Sequence, residues 1–511
     1  MTFTKPDITP ECYWAQWKNS FPADNAFIPI GVFPADESPA SLEAVGINFS
    51  NPFRNGQQGV WQVTADAITQ IEAAGGFYGM GALSVDTCQP SVAASQTTTT
   101  AAFSLPADTI PVADISIWAN AVDLSQPGGS PSGPNPLLAG QFQVTSSAGV
   151  QVITYTGISG SSFTGCTGGT GDVSSGATVG GVDWGSAFAA NSWADEADCA
   201  AHYYFDGLPA DLVAIIDANY DGTCGGVGPA GYKAIGDYLH MQDPTRPVYN
   251  QFTSGVGSAY AGGLPDPSQP ASATNQWVPY QNPSFADRQE FALAGDIDSF
   301  DDYPVNDGDD LAHLGDSISY FRLEASYSRP VSGYVEVGMF SGAVGRAPTP
   351  EETVAEVWEE LIHGAQYVEY FDGAGSFQVT AGGPMTDAVT AVNAQVTALA
   401  PVINDLFATG YIQNDGGTTV VANLQYPAGT NLPIVETMVK FHRGKYYVFA
   451  QPRTKGDITV TFTLANGASG TQATSMIGGA NVAIAGGKFT DTFTAASDGY
   501  STQVAHVYRI D

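Results

Sequence analysis

The stretch "RPVSGYVEVGMFSGAVGRAPTPEETVAEVWEELIHGAQYVEYFDG", residues 329 to 373, decides the fold. Its segment SGYVEVGMF is short, rich in β-branched and aromatic residues, and bounded by Pro330 and a Gly/Ser-rich turn, a pattern that predicts a strand. A period of two puts Ser332, Tyr334, Glu336 and Gly338 on one face and Val335, Val337 and Met339 on the other. TPEETVAEVWEELIHGA then opens with a helix-start signature: Thr349 as cap, Pro350 in the first turn, and Glu351 and Glu352 near the positive end of the helix dipole. Val354, Val357, Trp358 and Leu361 recur at helical spacing and are predicted to pack on a sheet. Gly364 ends the helix and AQYVEYF reads as the next buried strand, so the stretch is one strand–helix–strand unit of a parallel sheet.

The same rhythm runs outward in both directions. AFIPIGVF (26 to 33), INFSNPF and FYGMGALS read as strands separated by helices over SPASLEAVG and TADAITQIEAAGG. The rhythm stops near residue 85 and resumes with DLVAIIDANYDG (211 to 222), RPVYNQFT, AGDIDSFDDYPVND (294 to 307), a helix over LAHLGDSISYFRLEAS, and a last helix over 386 to 410. Eight strands with following helices predict a (β/α)8 TIM barrel. The interruption, 89 to 182, is rich in Thr, Ser, Gly and Pro with short alternating segments, and reads as a small all-β insertion domain. From about 411 the hydrophobic period changes to two, which predicts a C-terminal β-sandwich. The expected division is therefore 1–88 and 183–410 for the barrel, 89–182 for the insertion and 411–511 for the sandwich.

Composition limits the partners. Over 511 residues, 16 Lys+Arg stand against 51 Asp+Glu, a formal net charge of −35 that repels nucleic acid and anionic membranes. Charged residues make up only 13% of the chain, a balance suited to a secreted or virion-type protein with long polar loops. No basic and apolar leader is visible at the N-terminus and no apolar run reaches spanning length, so a soluble protein without a signal peptide is expected. The five cysteines, Cys12, Cys88, Cys166, Cys199 and Cys224, are too scattered for a disulfide scaffold or a zinc site, although Cys88 and Cys199 flank the insertion and one bridge could join them. The six histidines show no metal spacing, and His363 at a helix end is read as a dipole-stabilised residue. Neither cofactor nor metal is expected.

Taken in order, FIPIGVF…SLEAVGINF, DPTRPVYNQF (243 to 252), DIDSFDDYPV (296 to 305), APTPEETVAEVWEELIHGAQYVEYF and KYYVFA…ITVTFTL…HVYRI resemble barrel glycoside hydrolases that end in a β-sandwich. Within the insertion, VITYTGISGSSFTGCTGGTGDVSSGATV (152 to 179) is similar to an element of bacteriophage tail proteins, particularly those of actinobacterial phages. Together these imply a phage minor tail protein with a glycoside-hydrolase-like barrel, located in the virion tail. Its implied partners are host cell-envelope polysaccharide and other tail proteins, and its implied assembly is a homo-oligomer such as a trimer.

In this fold the chemistry sits at strand carboxyl ends. Hydrolysis of a glycosidic bond needs two carboxyl groups, one protonated and one ionised, at roughly 5 Å for retention and 6.5–9.5 Å for inversion. The best candidates are Glu336 on the seventh strand as nucleophile or base, with Asp217 or Asp221 on the fourth as acid. Asp296, Asp298, Glu369 and Asp372 are further acids expected to line the site, and Trp61, Trp193, Tyr204 and Tyr303 are aromatics expected in strand-to-helix loops where rings stack on sugars. Related barrels commonly end the fourth strand with Asp-Glu or Asn-Glu. Here IIDANYDG has no Glu, and a displacement of about 1 Å can cost about 10²-fold in rate. Two readings follow: a non-catalytic receptor-binding or structural tail component, or an active glycosidase of actinobacterial cell-wall polysaccharide.

Overall fold

The computed structural model describes residues 9–33, 37–50, 74, 76–80, 96–115, 141–180, 212–214, 217–220, 245–252, 289, 292–293, 295–308, 311–339, 345–372, 379–415, 435–453, 457–494 and 505–511. Along the chain come β1 (Ile30–Phe33), β2 (Phe49–Ser50) and β3 (Tyr78–Met80), then nine short strands of the inserted segment, β4 (Gln96–Thr98) to β12 (Thr178–Gly180). They are followed by β13 (Leu212–Ala214), β14 (Asp217–Tyr220), β15 (Tyr249–Phe252), β16 (Ile297–Phe300), β17 (Val331–Glu336) and β18 (Val368–Phe371). The C-terminal region holds β19 (Leu406–Phe407), β20 (Ile412–Asn414), β21 (Val435–His442), β22 (Lys445–Pro452), β23 (Ile458–Leu464), β24 (Gln472–Ile477), β25 (Val482–Ala483), β26 (Lys488–Phe493) and β27 (His506–Ile510). The helices are α1 (Pro10–Tyr13), α2 (Pro39–Glu43), α3 (Pro304–Asp307), α4 (Ala312–Glu324), α5 (Pro350–His363) and α6 (Pro384–Ile403).

Among the described residues, nine strands form one sheet in the order β13-β3-β2-β1-β18-β17-β16-β15-β14, every pair parallel. The expected fourth strand is present as two pieces. Leu212–Ala214 pairs with β3 and Asp217–Tyr220 pairs with β15, so the two edges of the sheet belong to one short run of chain. The fold is thus α/β, with antiparallel regions apart from the parallel sheet.

Strand β17 and helix α5 follow their sequence signals closely. The Thr349 side chain accepts from Glu352 N–H while the Glu352 carboxylate accepts from Thr349 N–H, a closed capping box, and Gly364 ends the helix at a left-handed φ of 99°. Val335 and Val337 enter the core with Val357, Trp358 and Leu361 of α5, while Tyr334 points to the opposite face. Trp358 meets Phe449 of β22, so α5 lies between the parallel sheet and the C-terminal strands. There, a six-stranded sheet (β19-β21-β22-β27-β24-β25) and a three-stranded sheet (β20-β23-β26) share one core containing Val439, Val448, Phe462 and Phe489.

The strand expected over 294–307 is shorter than its sequence suggests. It covers Ile297–Phe300, and Pro304 opens α3, because a fixed φ and a missing N–H suit the first turn of a helix better than a sheet ladder. At the amino ends of the strands, Tyr13, Trp14 and Phe21 pack with Phe49, Ile297 and Tyr367 and fill the sheet's concave side. In the inserted segment the described residues are strands around a separate core with Phe142, Ile153 and Phe163.

Candidate functional site

The carboxyl ends of β16, β17, β18 and β1 carry the acids and aromatics that matter for chemistry. Glu336, the last residue of β17, is buried, with both carboxylate oxygens engaged. Oε2 accepts from Val305 N–H (2.8 Å), and Oε1 accepts from Asn306 N–H (2.8 Å) and from the Asn306 side-chain amide. Those amides belong to the first turn of α3, so the carboxylate caps a helix end that would otherwise leave buried donors unsatisfied. The same Asn306 amide also donates to Gly338 O (2.9 Å), and Gly345 N–H donates to Asn306 O (2.6 Å), which ties the loop after β16 to the loop after β17. Burial raises the pKa of Glu336, and its hydrogen bonds to Glu356, Asn306 and Val305 oppose that rise.

Beneath this loop the inner face is polar at mid-height and aromatic at the top. Tyr249 on β15 donates to Glu369 Oε2 on β18 (2.6 Å), and its hydroxyl lies 3.3 Å from that of Tyr334. Above them Tyr303, Tyr334, Phe33 and Phe371 form one ring cluster, with Tyr303 to Phe371 at 4.8 Å and Phe33 to Tyr334 at 5.5 Å between centroids. The cluster covers Glu369, which is fully buried. Tyr303 donates to Asp301 Oδ1 (3.0 Å), and Asp301 and Phe371 are the half-exposed members of this surface.

The acids expected to line one site face different ways. Asp296 stands before β16, at the amino end of the sheet, and accepts from Val248 N–H (2.9 Å); its carbonyl accepts from Tyr13 OH. Asp298 shares a face with Phe300, which packs on Phe321 of α4, so it lies under the helices. There Asn250 donates to its Oδ1 (2.9 Å), and burial lifts its pKa well above the carboxylate range. Asp372 accepts from Val379 N–H (3.2 Å) just past β18. Of the expected residues the structure brings Glu336, Tyr303 and Glu369 to one end of the sheet, with Asp372 beside them. Asp217 begins β14, and its side chain, like Trp61, Trp193, Tyr204, Asp221 and the Cys88–Cys199 pair, lies outside the described residues.

The sequence reading placed Glu351 and Glu352 at the start of α5 but missed Glu356, Glu359 and Glu360. Glu352, Glu356, Glu359 and Glu360 are all buried beside the apolar stripe, each with its own partner. Glu352 meets Arg346 as well as the cap; Glu356 Oε2 accepts from Glu336 N–H (2.7 Å); Glu360 accepts from Gly333 N–H (3.0 Å) and Ser332 Oγ (2.9 Å). Their spacing of four, three and one residues on one helical face was the available signal.

Glu359 joins a buried network linking α4 and α5 to the C-terminal strands. Arg453 donates to both oxygens of Asp316 (2.8 and 2.7 Å) and to Glu436 Oε1. His363 Nε2 lies 3.0 Å from Glu436 Oε2, its Nδ1 lies 2.7 Å from Ser319 Oγ, and Gln451 donates to Glu359 Oε2 (2.9 Å). His363 stands in the last turn of α5, the helix end the sequence suggested, and is in addition fully buried among the groups of this network. Burial works to lower its pKa, but the charges of Glu436 and Glu359 beside it lift it to about 10. Burial likewise opposes ionisation of Glu436, yet His363 and Arg453 hold its pKa well below the usual range. Ligand atoms of Asp316, His363 and Glu436 lie within 4.8 Å of one another, the spacing of a metal site, but the Arg453 guanidinium already supplies the cation there.

No family model matches the chain, and no curated protein matches it. Solved structures give distant likenesses, among them amylases and xylanases by their printed descriptions. An α-amylase from Geobacillus thermoleovorans complexed with acarbose is 11% identical over 98% of this chain and 99% of its own, with a TM-score of 0.44. The family 30 subfamily 8 xylanase Xyn30A from Clostridium acetobutylicum is 10% identical over 97% and 98%, with a TM-score of 0.35. A GH30 endoxylanase from Clostridium papyrosolvens C71 is 13% identical over 59% of this chain and 66% of that one, with a TM-score of 0.30. Likenesses of this size carry nothing about activity or substrate.

Proposed function

We propose that the chain is a bacteriophage minor tail protein that contacts host cell-envelope glycan through a barrel that binds and does not cleave. Closure of the sheet into an eight-stranded barrel is part of this reading. Its support is that the two edge strands, Leu212–Ala214 and Asp217–Tyr220, are three residues apart, which limits their separation to about 11 Å at full extension. The observation that carries the non-catalytic role is the Glu336 carboxylate, whose oxygens cap α3 and lie beside an aromatic cluster covering the inner face. A nucleophile needs an oxygen within reach of the anomeric carbon, and this one is committed to backbone donors. Half-exposed Phe371 and Asp301 supply the ring and the acceptor that a sugar face and its hydroxyls need. The tail assignment, and with it a homo-oligomer among other tail proteins, rests on the likeness of residues 152–179 to phage tail elements.

The second reading, a glycosidase using Glu336 as nucleophile or base with Asp217 or Asp221 as acid, is favoured by one observation: Glu336 ends β17, at the carboxyl ends of the parallel strands where this fold places its chemistry. Reducing-sugar release and polymer binding, measured on actinobacterial arabinogalactan and lipoglycans for the wild-type protein and Glu336→Gln, decide between them. Binding by both proteins without sugar release is the expected result. Release that disappears in Glu336→Gln, with an unchanged melting temperature, overturns it.

A further inference from the structure

The meeting point of β17, α5 and α3 carries an inference independent of any glycan. Glu336 and Glu356 are both buried, and Glu356 Oε2 accepts the Glu336 backbone N–H (2.7 Å) while its Oε1 has no donor. A buried carboxyl oxygen without a donor is where a proton belongs, because an ionised group there faces desolvation and a second negative charge together. Every other group around the pair is an acid or is already committed. Glu360 lies one turn along α5, Glu352 is matched by Arg346, and α3 offers the two backbone amides and the Asn306 amide that hold Glu336. Thr353 Oγ1 donates to the Glu336 carbonyl (2.7 Å), and Asp302 beyond it is taken by Ser317 (2.7 Å) and His313 (3.1 Å).

We propose that Glu336 and Glu356 form a single-proton latch: with one proton between them the Glu336 carboxylate clamps α3, and loss of that proton to solvent releases the clamp. The segment it controls, 301–308, carries Tyr303 and Asp301, so release uncovers the aromatic cluster over Glu369. The sign follows from where the proton sits. Burial, followed by the charge of Glu336, raises Glu356 well above its ordinary value, so the latch is complete in the ordinary carboxylate range and weakens as pH rises through the raised value.

Hydrogen exchange read by mass spectrometry on peptides covering 301–308, as protection relative to the free peptide, tests this between about pH 5 and about pH 9. In the wild-type protein, protection falls by up to roughly ten-fold per pH unit as pH rises from the ordinary carboxylate range toward the raised value of Glu356, and levels off once the pair is doubly ionised. Glu356→Gln keeps an acceptor for the Glu336 N–H and presents a neutral group permanently, so protection stays high and flat with pH. Glu336→Gln is the second variant: it removes the paired charge, lowers protection at every pH, and weakens the pH dependence to the part that burial of Glu356 alone supplies. Flat protection in the wild-type protein, a pH-dependent loss that survives in Glu356→Gln, or one that is undiminished in Glu336→Gln, overturns the latch.

Discussion

Two regions of this molecule bury carboxyl groups at similar depth and neutralise them in opposite ways. At the end of β17, Glu336, Glu356 and Glu360 are held by backbone amides, a serine and the Asn306 amide, with no cation on these three among the described residues. Under the C-terminal strands, Asp316, Glu359 and Glu436 surround His363 and Arg453, so a guanidinium and an imidazole stand among three acids. Burial raises Glu359 well above its usual value, which favours its neutral form there. The scarcity of cations explains the division: with 16 Lys+Arg for 51 Asp+Glu, few buried acids can have an ion-pair partner, and the cations go where two layers must be joined. Amides serve within a layer, where the backbone is already near.

The contrast makes separate predictions for the two regions. The largest effect belongs to Arg453→Met, which strands Asp316 and Glu436 in the interface; urea unfolding is expected to show a loss of about 3–5 kcal/mol. A loss below about 1 kcal/mol would mean water reaches the network and the contrast is false. Next is Gly333→Ala, whose Cβ would lie 2.7 Å from Leu314 Cδ1 and 2.9 Å from Glu360 Oε1. Displacing Glu360 from Gly333 N–H is expected to cost about 1–3 kcal/mol by the same measurement.

The pH dependence separates the regions by sign. Glu356, Glu360 and Asp298 have raised pKa values through burial, so each favours the folded state most in the ordinary carboxylate range and loses up to about 1.4 kcal/mol per pH unit as pH rises toward its folded value. Glu436 is depressed, so its contribution is present above the ordinary value and lost as pH falls below it. Stability against pH is therefore expected to peak on the acid side of neutrality, with Glu356→Gln flattening the alkaline limb and Glu436→Gln the acid limb. The smallest effect is Thr349→Ala, which opens the capping box of α5 and is expected to cost about 1 kcal/mol with no change in pH profile.

Much of the parallel sheet was legible because its signals are local. The period of two in SGYVEVGMF sent Val335 inward against Trp358 and Tyr334 to the other face, and Thr349, Pro350 and Glu352 set where α5 begins. Asp296 and Asp298 were harder, since an acid near a strand end reads alike whether it precedes the strand, faces the helices or faces the ligand side. A shift of one residue decides that, and the Asp-rich run 296–302 does not announce its register.

The sequence alone determined the alternation of strands and helices, the switch to antiparallel strands near the C-terminus, and the acidic excess that leaves cations scarce. Only the tertiary structure decided what each acid does. Glu336 became a helix cap because α3, thirty residues earlier, places two N–H groups against it, and His363 became part of a buried network because Glu436, more than seventy residues later, arrives beside it. A carboxyl's protonation and reactivity depend on the solvent, donors and charges within a few ångströms, and those neighbours are supplied by segments distant in the chain.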